Sequence, residues 1–188
     1  MNRTCGTCSA CCTRLPIKEI AKPANTRCAH QSHAHGCKIY RKDGFPTACR
    51  YWTCRWLSDP DTRDLSRPDR AGYVIDVVID YITIRDDDTG ATQNVGCIQV
   101  WCDPKRPDSH RDPRLREYLE RRADEGMCAV IRYSASEAFV LFAPIFTGGR
   151  GWQEMHSAMR SEEHTAADIA AALGPDFVAI DLSKEQHA

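Results

Sequence analysis

The chain has 188 residues, of which 42% are hydrophobic and 27% charged, with a formal net charge of −1. These values are typical of a soluble globular protein of one domain, or of one domain with a small satellite. No apolar run is long enough to cross a bilayer and the N-terminus lacks the apolar stretch of a signal peptide, so we expect a cytoplasmic protein with reduced thiols and no membrane partner.

Charge and cysteine are both unevenly distributed along the chain. Residues 1–58 hold ten Lys or Arg and two Asp or Glu, a formal charge of +8, whereas residues 59–188 have a formal charge of −9. Eight of the eleven cysteines lie within the first 54 residues. Because cationic neighbours lower thiol pKa values and the thiolate is the form that binds metal, this distribution favours a metal site in the first segment.

Residues 1–58 have little apolar periodicity and many turn-forming residues, which predicts an irregular segment that buries little apolar surface. Metal–ligand bonds replace a hydrophobic core in small modules of this kind. Residues 59–70 are polar and are predicted to connect this module to a second unit, residues 71–188.

The second unit is predicted to be a small α+β domain with a mainly antiparallel sheet and one or two helices. Tyr73–Ile84 and Thr92–Trp101 have the composition of strands, and the turn Asp86–Gly90 between them predicts an antiparallel pair. Asp112 is predicted to cap a helix that ends near Gly126. The remaining predicted elements are strands Met127–Tyr133 and Ala138–Phe142, a loop over Pro144–Gly151, a helix that ends at Leu173, and a strand over Phe177–Leu182.

The thiols of the first segment are the main candidates for metal ligands. They are Cys5, Cys8, Cys11, Cys12, Cys28, Cys37, Cys49 and Cys54. The two residues between Cys5 and Cys8 allow both sulfurs to reach one metal, and Gly6 suits the tight turn that this requires. A tetrahedral zinc site and a 4Fe–4S cluster each need four donors, so eight thiols are enough for two sites.

The adjacent pair Cys11 and Cys12 leaves the ligand assignment open. Neighbouring side chains diverge from the backbone, so we do not expect both to bind one tetrahedral ion. Either each serves one of two nearby centres, or one bridges, or one is free.

Further Cys and His residues have two interpretations each. His30, His33 and His35 are candidates for additional ligands, or belong to a solvated loop, since the thiols already suffice. Cys97, Cys102 and Cys128 lie in or beside the strand patterns, where cysteine is usually a small buried hydrophobic residue. For the eight N-terminal thiols, disulfides are the alternative to metal, but they are disfavoured in a reducing compartment.

These motifs resemble a known bacterial family. The spacing CxxCxxCC over residues 5–12, then Gly36-Cys37-Lys38-Ile39-Tyr40, then Cys49-Arg50-Tyr51-Trp52-Thr53-Cys54, is similar to that of the CxxCxxCC proteins, often called YkgJ-like. Members are described as zinc- or iron-chelating domains. The resemblance covers about the first 58 residues and implies metal binding by the cysteines, but no particular reaction. One departure is Gly44–Ala48 before Cys49, where relatives usually have Arg-Pro closer to the cysteine.

No catalytic constellation is recognisable in the sequence, and we lean towards a protein that is not an enzyme. Gly148–Gly151 lacks the strand and GK[ST] context of a phosphate loop. His110, His156 and His164 are scattered along the chain. A site with four thiolates has no open position, which favours a structural role over hydrolysis.

We therefore expect thiolate-bound zinc, with a redox or sensing 4Fe–4S cluster as the alternative cofactor. A nucleic-acid-binding or assembly module is the other alternative, because aromatic residues alternate with Lys and Arg over residues 38–56. Two zinc ions with eight thiolates would lower the formal charge of residues 1–58 from +8 to +4. Packing of the aromatics around the metal is thus the preferred interpretation, with a protein partner or larger assembly left open.

Overall fold

The computed structural model describes residues 3–32, 36–85, 89–134 and 136–156. Several of the predicted features lie outside the described residues: His33, His35, His164, Asp86–Asp88, the helix ending at Leu173 and the strand Phe177–Leu182.

The N-terminal segment consists of short elements joined by turns. Its helices have four or five residues, and its two strands pair as an antiparallel hairpin. The elements are α1 (Ala10–Arg14), β1 (Gln31–Ser32), β2 (Gly36–Cys37), α2 (Thr47–Tyr51), α3 (Arg55–Ser58) and α4 (Pro68–Ala71). Helices this short are not stable on their own, so contacts elsewhere must hold them in place.

A five-stranded sheet follows in the chain. Its strands, in spatial order, are β3 (Tyr73–Arg85), β4 (Thr92–Cys102), β5 (Cys128–Arg132), β6 (Ala138–Phe142) and β7 (Gln153–Met155). The β4–β5 pair is parallel and the other three pairs are antiparallel. The predicted α+β class is confirmed, and the sheet is mixed.

Helix α5 (Pro113–Asp124) connects the two parallel strands and covers one face of the sheet. The Asp112 carboxylate accepts a hydrogen bond from the Arg114 amide at 3.0 Å, which is the predicted N-terminal cap. Leu115 and Leu119 recur at the helical repeat and pack with Ile98 of β4 in the main core. The helix and the sheet therefore bury a continuous apolar layer.

The opposite face of the sheet meets the N-terminal segment at one end. Leu15 and Cys54 pack in one apolar cluster with Val74 of β3 and Trp101 of β4. These two strand residues point away from α5, because side chains alternate between faces along a strand. The cysteine-bearing segment is thus in direct apolar contact with the sheet.

Asp76 forms a polar anchor within this contact. The pairing of β3 with β4 is irregular around Asp76, since Ile75 pairs with Val100 but Ile79 pairs with Ile98. Strand β3 therefore contains a bulge at this point. The Asp76 carboxylate, 7% exposed, accepts hydrogen bonds from Trp52 Nε1 at 2.7 Å and from Trp101 Nε1 at 3.3 Å.

One sequence-based expectation needs correction. The segment after Gly151 was expected to become helical, but Gln153–Met155 form β7, which pairs with β6 at the sheet edge. The predicted connector, residues 59–70, contains a 3-10 turn whose Thr62 is fully buried.

Within the part of the chain that the structure describes, no helix has the length and apolar character needed to cross a membrane.

We predict that Asp76→Asn lowers the free energy of unfolding by roughly 2 kcal/mol, because the two indole N–H groups bind different carboxylate oxygens and the amide replaces one of these with an NH₂ donor. Denaturant unfolding of the full chain measures this change. The matched control is Asp64→Asn, whose side chain is 69% exposed and which should shift stability by less than about 0.5 kcal/mol. Equal effects of the two substitutions would show that Asp76 is not a structural anchor.

Candidate metal centre

The first two cysteines lie in the tight turn that their spacing predicts. The amide of Cys8 donates to the carbonyl of Cys5 at 2.8 Å. Gly6 has φ of +51°, a left-handed conformation that residues with a Cβ rarely adopt. The next pair, Cys11 and Cys12, lies within helix α1.

Two more cysteines approach α1 from the β1–β2 hairpin. The amide of Cys28 donates to the carbonyl of Cys12 at 3.0 Å, and Cys37 pairs with Gln31 across the hairpin. The Gln31 amide group donates to Ser9 Oγ at 2.6 Å, which ties the hairpin to the residue before α1. The backbone therefore places Cys28 and Cys37 on the Cys12 side of the helix.

Cys49 and Cys54 reach the same region through α2 and α3. The Glu19 carboxylate accepts hydrogen bonds from the amides of Thr47 and Ala48, at 2.6 and 2.8 Å, and so caps the helix that carries Cys49. Cys54 directly precedes α3 and is buried in the apolar cluster against which Cys11 also packs.

We place Cys5, Cys8, Cys11 and Cys54 in one group of thiols, because Cys5 and Cys8 act on the pKa of Cys54, and Cys5 and Cys54 act on that of Cys11. Burial, together with the nearby thiols of Cys5 and Cys8, raises the pKa of Cys54 to about 11. The pKa of Cys11 is raised by its hydrogen bond with Cys12 and by burial, with added repulsion from Cys5 and Cys54. Each member of this group is thus electrostatically coupled to others of the same group.

The second group comprises Cys12, Cys28, Cys37 and Cys49. Burial, together with repulsion from the other three thiols, raises the pKa of Cys49 to about 11. Burial likewise raises the pKa of Cys37, and Cys12 and Cys28 add to it. Cys12 also acts on Cys5, so the two groups meet at the adjacent pair on α1.

Lys22 is a buried cation inside the second group, and the sequence pattern did not single it out. Its side chain is 7% exposed, and Nζ donates to the carbonyl oxygens of Thr13, Leu15 and Pro23. A hydrogen bond from Cys11 and the Lys22 ammonium lower the pKa of Cys12 to about 7, against the opposing effect of burial. This ammonium can therefore offset thiolate charge where four thiols gather.

The donor chemistry fits a soft metal, but the side chains are not placed as a closed site. Across residues 3–32, 36–85, 89–134 and 136–156, no three His, Cys, Asp or Glu side chains form a group that could hold a metal ion. Four thiols per group match the donor number of zinc or of a 4Fe–4S cluster. Thiol rotation and closing of the short turns would be needed for ligation.

The structure also describes His30 and the three cysteines outside the N-terminal segment. His30 is half-buried, and its carbonyl accepts from the Lys38 amide at 2.8 Å. Cys97, Cys102 and Cys128 are buried in the sheet, at 0%, 0% and 3% exposure, as expected.

The aromatic residues of the basic segment divide between interior and surface. Trp52 donates to Asp76, and Trp56 donates to the Leu65 carbonyl at 3.1 Å. Tyr40 and Tyr51 are 58% and 51% exposed. The tryptophans therefore serve the packing of the segment, while the tyrosines remain accessible to a partner.

A polar cluster away from the thiols joins residues that the sequence separates by more than forty positions. His110 Nε2 and His156 Nε2 lie 3.2 and 3.1 Å from the two carboxylate oxygens of Glu154. These hydrogen bonds outweigh partial burial and lower the pKa of Glu154. The cluster lines an open pocket of about 320 Å³. His110 and His156 are thus not scattered, although no local sequence signal links them.

Comparison with known proteins assigns neither a family nor a function to this chain. No family model matches the chain, and no curated protein or solved structure matches it either. The resemblance to the CxxCxxCC family therefore rests on the motif residues themselves.

Proposed function

We propose that this chain is a non-catalytic metal-binding protein in which eight N-terminal thiolates hold zinc in two four-thiolate sites. The first site would use Cys5, Cys8, Cys11 and Cys54, and the second Cys12, Cys28, Cys37 and Cys49. The observation that supports this most is the convergence of the thiols on α1, where the Cys28 amide donates to the Cys12 carbonyl, Cys11 and Cys54 pack in one apolar cluster, and neighbouring thiols raise one another's pKa.

Zinc is preferred over iron because closed four-thiolate sites in small modules are typical of structural zinc. Zinc bound in this way supplies folding energy and leaves no position for substrate. The buried apolar residues of the segment are few, namely Leu15, Ile17, Cys28, Phe45 and Cys54, so its order would depend on ligation. A 4Fe–4S protein with a redox or sensing role uses the same donors and is the first alternative.

Binding of nucleic acid or assembly with a protein partner is the second alternative. It is supported by the exposure of Tyr40 and Tyr51, and by Arg41, whose guanidinium lies 5.4 Å from the Tyr40 ring centroid. The buried roles of Trp52 and Trp56 reduce the number of aromatic residues available for base stacking. We therefore place this function after metal binding.

Freshly purified protein, prepared without oxygen, should contain about two equivalents of zinc per chain. Elemental analysis and an absorption spectrum measure this directly. Less than about half an equivalent of any transition metal would contradict metal binding. A brown protein that contains iron and sulfide, absorbs near ~400 nm and bleaches with dithionite would establish the cluster instead.

The two-site assignment predicts how cysteine substitutions combine. Cys11→Ser and Cys12→Ser should each remove about one equivalent of zinc, because each breaks one set of four ligands. Cys11→Ser with Cys54→Ser should lose no more than Cys11→Ser alone, whereas Cys11→Ser with Cys12→Ser should lose both ions.

The control for this series is Cys102→Ser, which changes a buried thiol in the sheet and should retain about two equivalents. Elemental analysis of each variant after gel filtration measures the metal content. If the Cys11→Ser and Cys54→Ser losses add to two ions, these thiols belong to different sites and the assignment is wrong.

Removal of metal should unfold residues 1–58 and leave the sheet folded. Zinc ligation contributes on the order of 10 kcal/mol in small modules, whereas the sheet and α5 bury their own core. Hydrogen exchange after chelation should show rapid exchange of the Cys28 and Lys38 amides, while amides of β5 stay protected. Simultaneous loss of both regions would mean that the segment is part of the main core.

A further inference from the structure

Cys97 and Cys128 form a thiol pair that the N-terminal sites do not use. They are direct partners on the parallel strands β4 and β5. Their Sγ atoms lie 2.9 Å apart, and the residues are 0% and 3% exposed. Two unbonded carbon atoms prefer a separation of about 3.5–4.0 Å, and sulfur is larger than carbon. The two sulfur atoms are therefore closer to each other than unbonded atoms normally pack.

The strand spacing around this pair is compatible with a disulfide. Neighbouring strands lie about 4.8 Å apart, which falls within the range of about 4.4–6.8 Å that Cα atoms span in disulfides. An S–S bond of about 2.0 Å needs the sulfurs to approach by only about 0.9 Å.

The pair also lies at the end of the sheet where the pairing of β4 with β5 begins. Pairing of β4 with β5 begins at Cys97 and Cys128, whereas residues 92–96 of β4 pair with β3. The β3–β4 hairpin therefore extends beyond the sheet as a two-stranded arm. Tyr81 of β3, which pairs with Gly96 in this arm, is 37% exposed. A covalent bond between Cys97 and Cys128 would clamp the base of this arm.

We propose that Cys97 and Cys128 are a redox modification site that closes to an intramolecular disulfide, with a low-molecular-weight disulfide such as oxidised glutathione as the oxidant. One protein thiolate attacks oxidised glutathione to give a mixed disulfide and one reduced glutathione. The second protein thiolate then attacks the mixed disulfide, forms the Cys97–Cys128 bond and releases a second reduced glutathione. The two protons from the protein thiols pass to the two glutathione thiolates.

The reaction will be slow in the closed sheet. A hydrogen bond with Cys128 and burial raise the pKa of Cys97, which disfavours the thiolate that must attack. Val130 and Val140 pack around the pair and exclude the oxidant. Opening of the arm at its base must precede the first attack, so oxidation reports on that motion.

The experiment treats full-length, metal-loaded protein with oxidised glutathione, blocks free thiols, and digests it without reduction. A protease that cuts after Trp101 separates Cys97 from Cys102. Mass spectrometry should find the Cys97 and Cys128 peptides joined, with the loss of two hydrogens. Reduced glutathione should reverse the link.

The matched control is Cys102→Ser, which should retain the link, whereas Cys97→Ala and Cys128→Ala should each abolish it. The oxidised protein should also show slower hydrogen exchange at Ile98 and Ala129. If Cys97 and Cys128 are still alkylated as free thiols after prolonged treatment, or if either links to another cysteine instead, the proposal is wrong. Metal content of the same sample tests the N-terminal sites separately, because this pair contributes no ligand to them.

Discussion

The carboxylate of Asp76 joins the two parts of this protein. It accepts from an indole of the N-terminal segment and from an indole of the sheet, at a bulge in β3. The Arg55 guanidinium donates to the Asp76 carbonyl at 2.9 Å, which fixes the start of α3 against the same strand. Because a bulge redirects side chains and breaks the regular ladder, an acceptor at this point can serve donors from several elements.

The position of the thiols depends on this joint. Cys54 precedes α3, and Cys54 and Cys11 contact Val74 and Trp101 on the same face of the sheet. Further contacts support the arrangement: Arg14 pairs with Asp103, and Asn25 donates to the Tyr133 carbonyl. The sheet thus provides a rigid surface for a segment whose own elements are too short to be stable alone.

Local chemistry explains which parts of the fold the sequence could predict. Asp112 before Pro113 identified the start of α5, and strand-like composition identified β3, β4, β5 and β6. The parallel pairing of β4 with β5 follows from the helix between them, since a crossover is what parallel neighbours require. β7 was missed because Gln153–Met155 is short and polar at its ends, so only its pairing with β6 defines it.

The candidate metal centre could likewise be predicted only in part from the sequence. The cysteines were identifiable by type and spacing, and the tight turn at Gly6 was predictable from them. The division of Cys11 from Cys12 was left open, because it depends on which side of α1 the β1–β2 hairpin approaches. Lys22 and Glu154 carry no local signature, since their partners are distant in sequence or are backbone carbonyls.

The adjacency of Cys11 and Cys12 on α1 has a thermodynamic consequence. Successive helical residues point about 100° apart, so one short helix presents a thiol to each group. Ordering that helix costs roughly 1–2 kcal/mol of backbone entropy per residue, and in the proposed two-site arrangement the first ion to bind would bear this cost. A second ion would then enter a helix that is already ordered, which is positive cooperativity between neighbouring sites without any shared ligand.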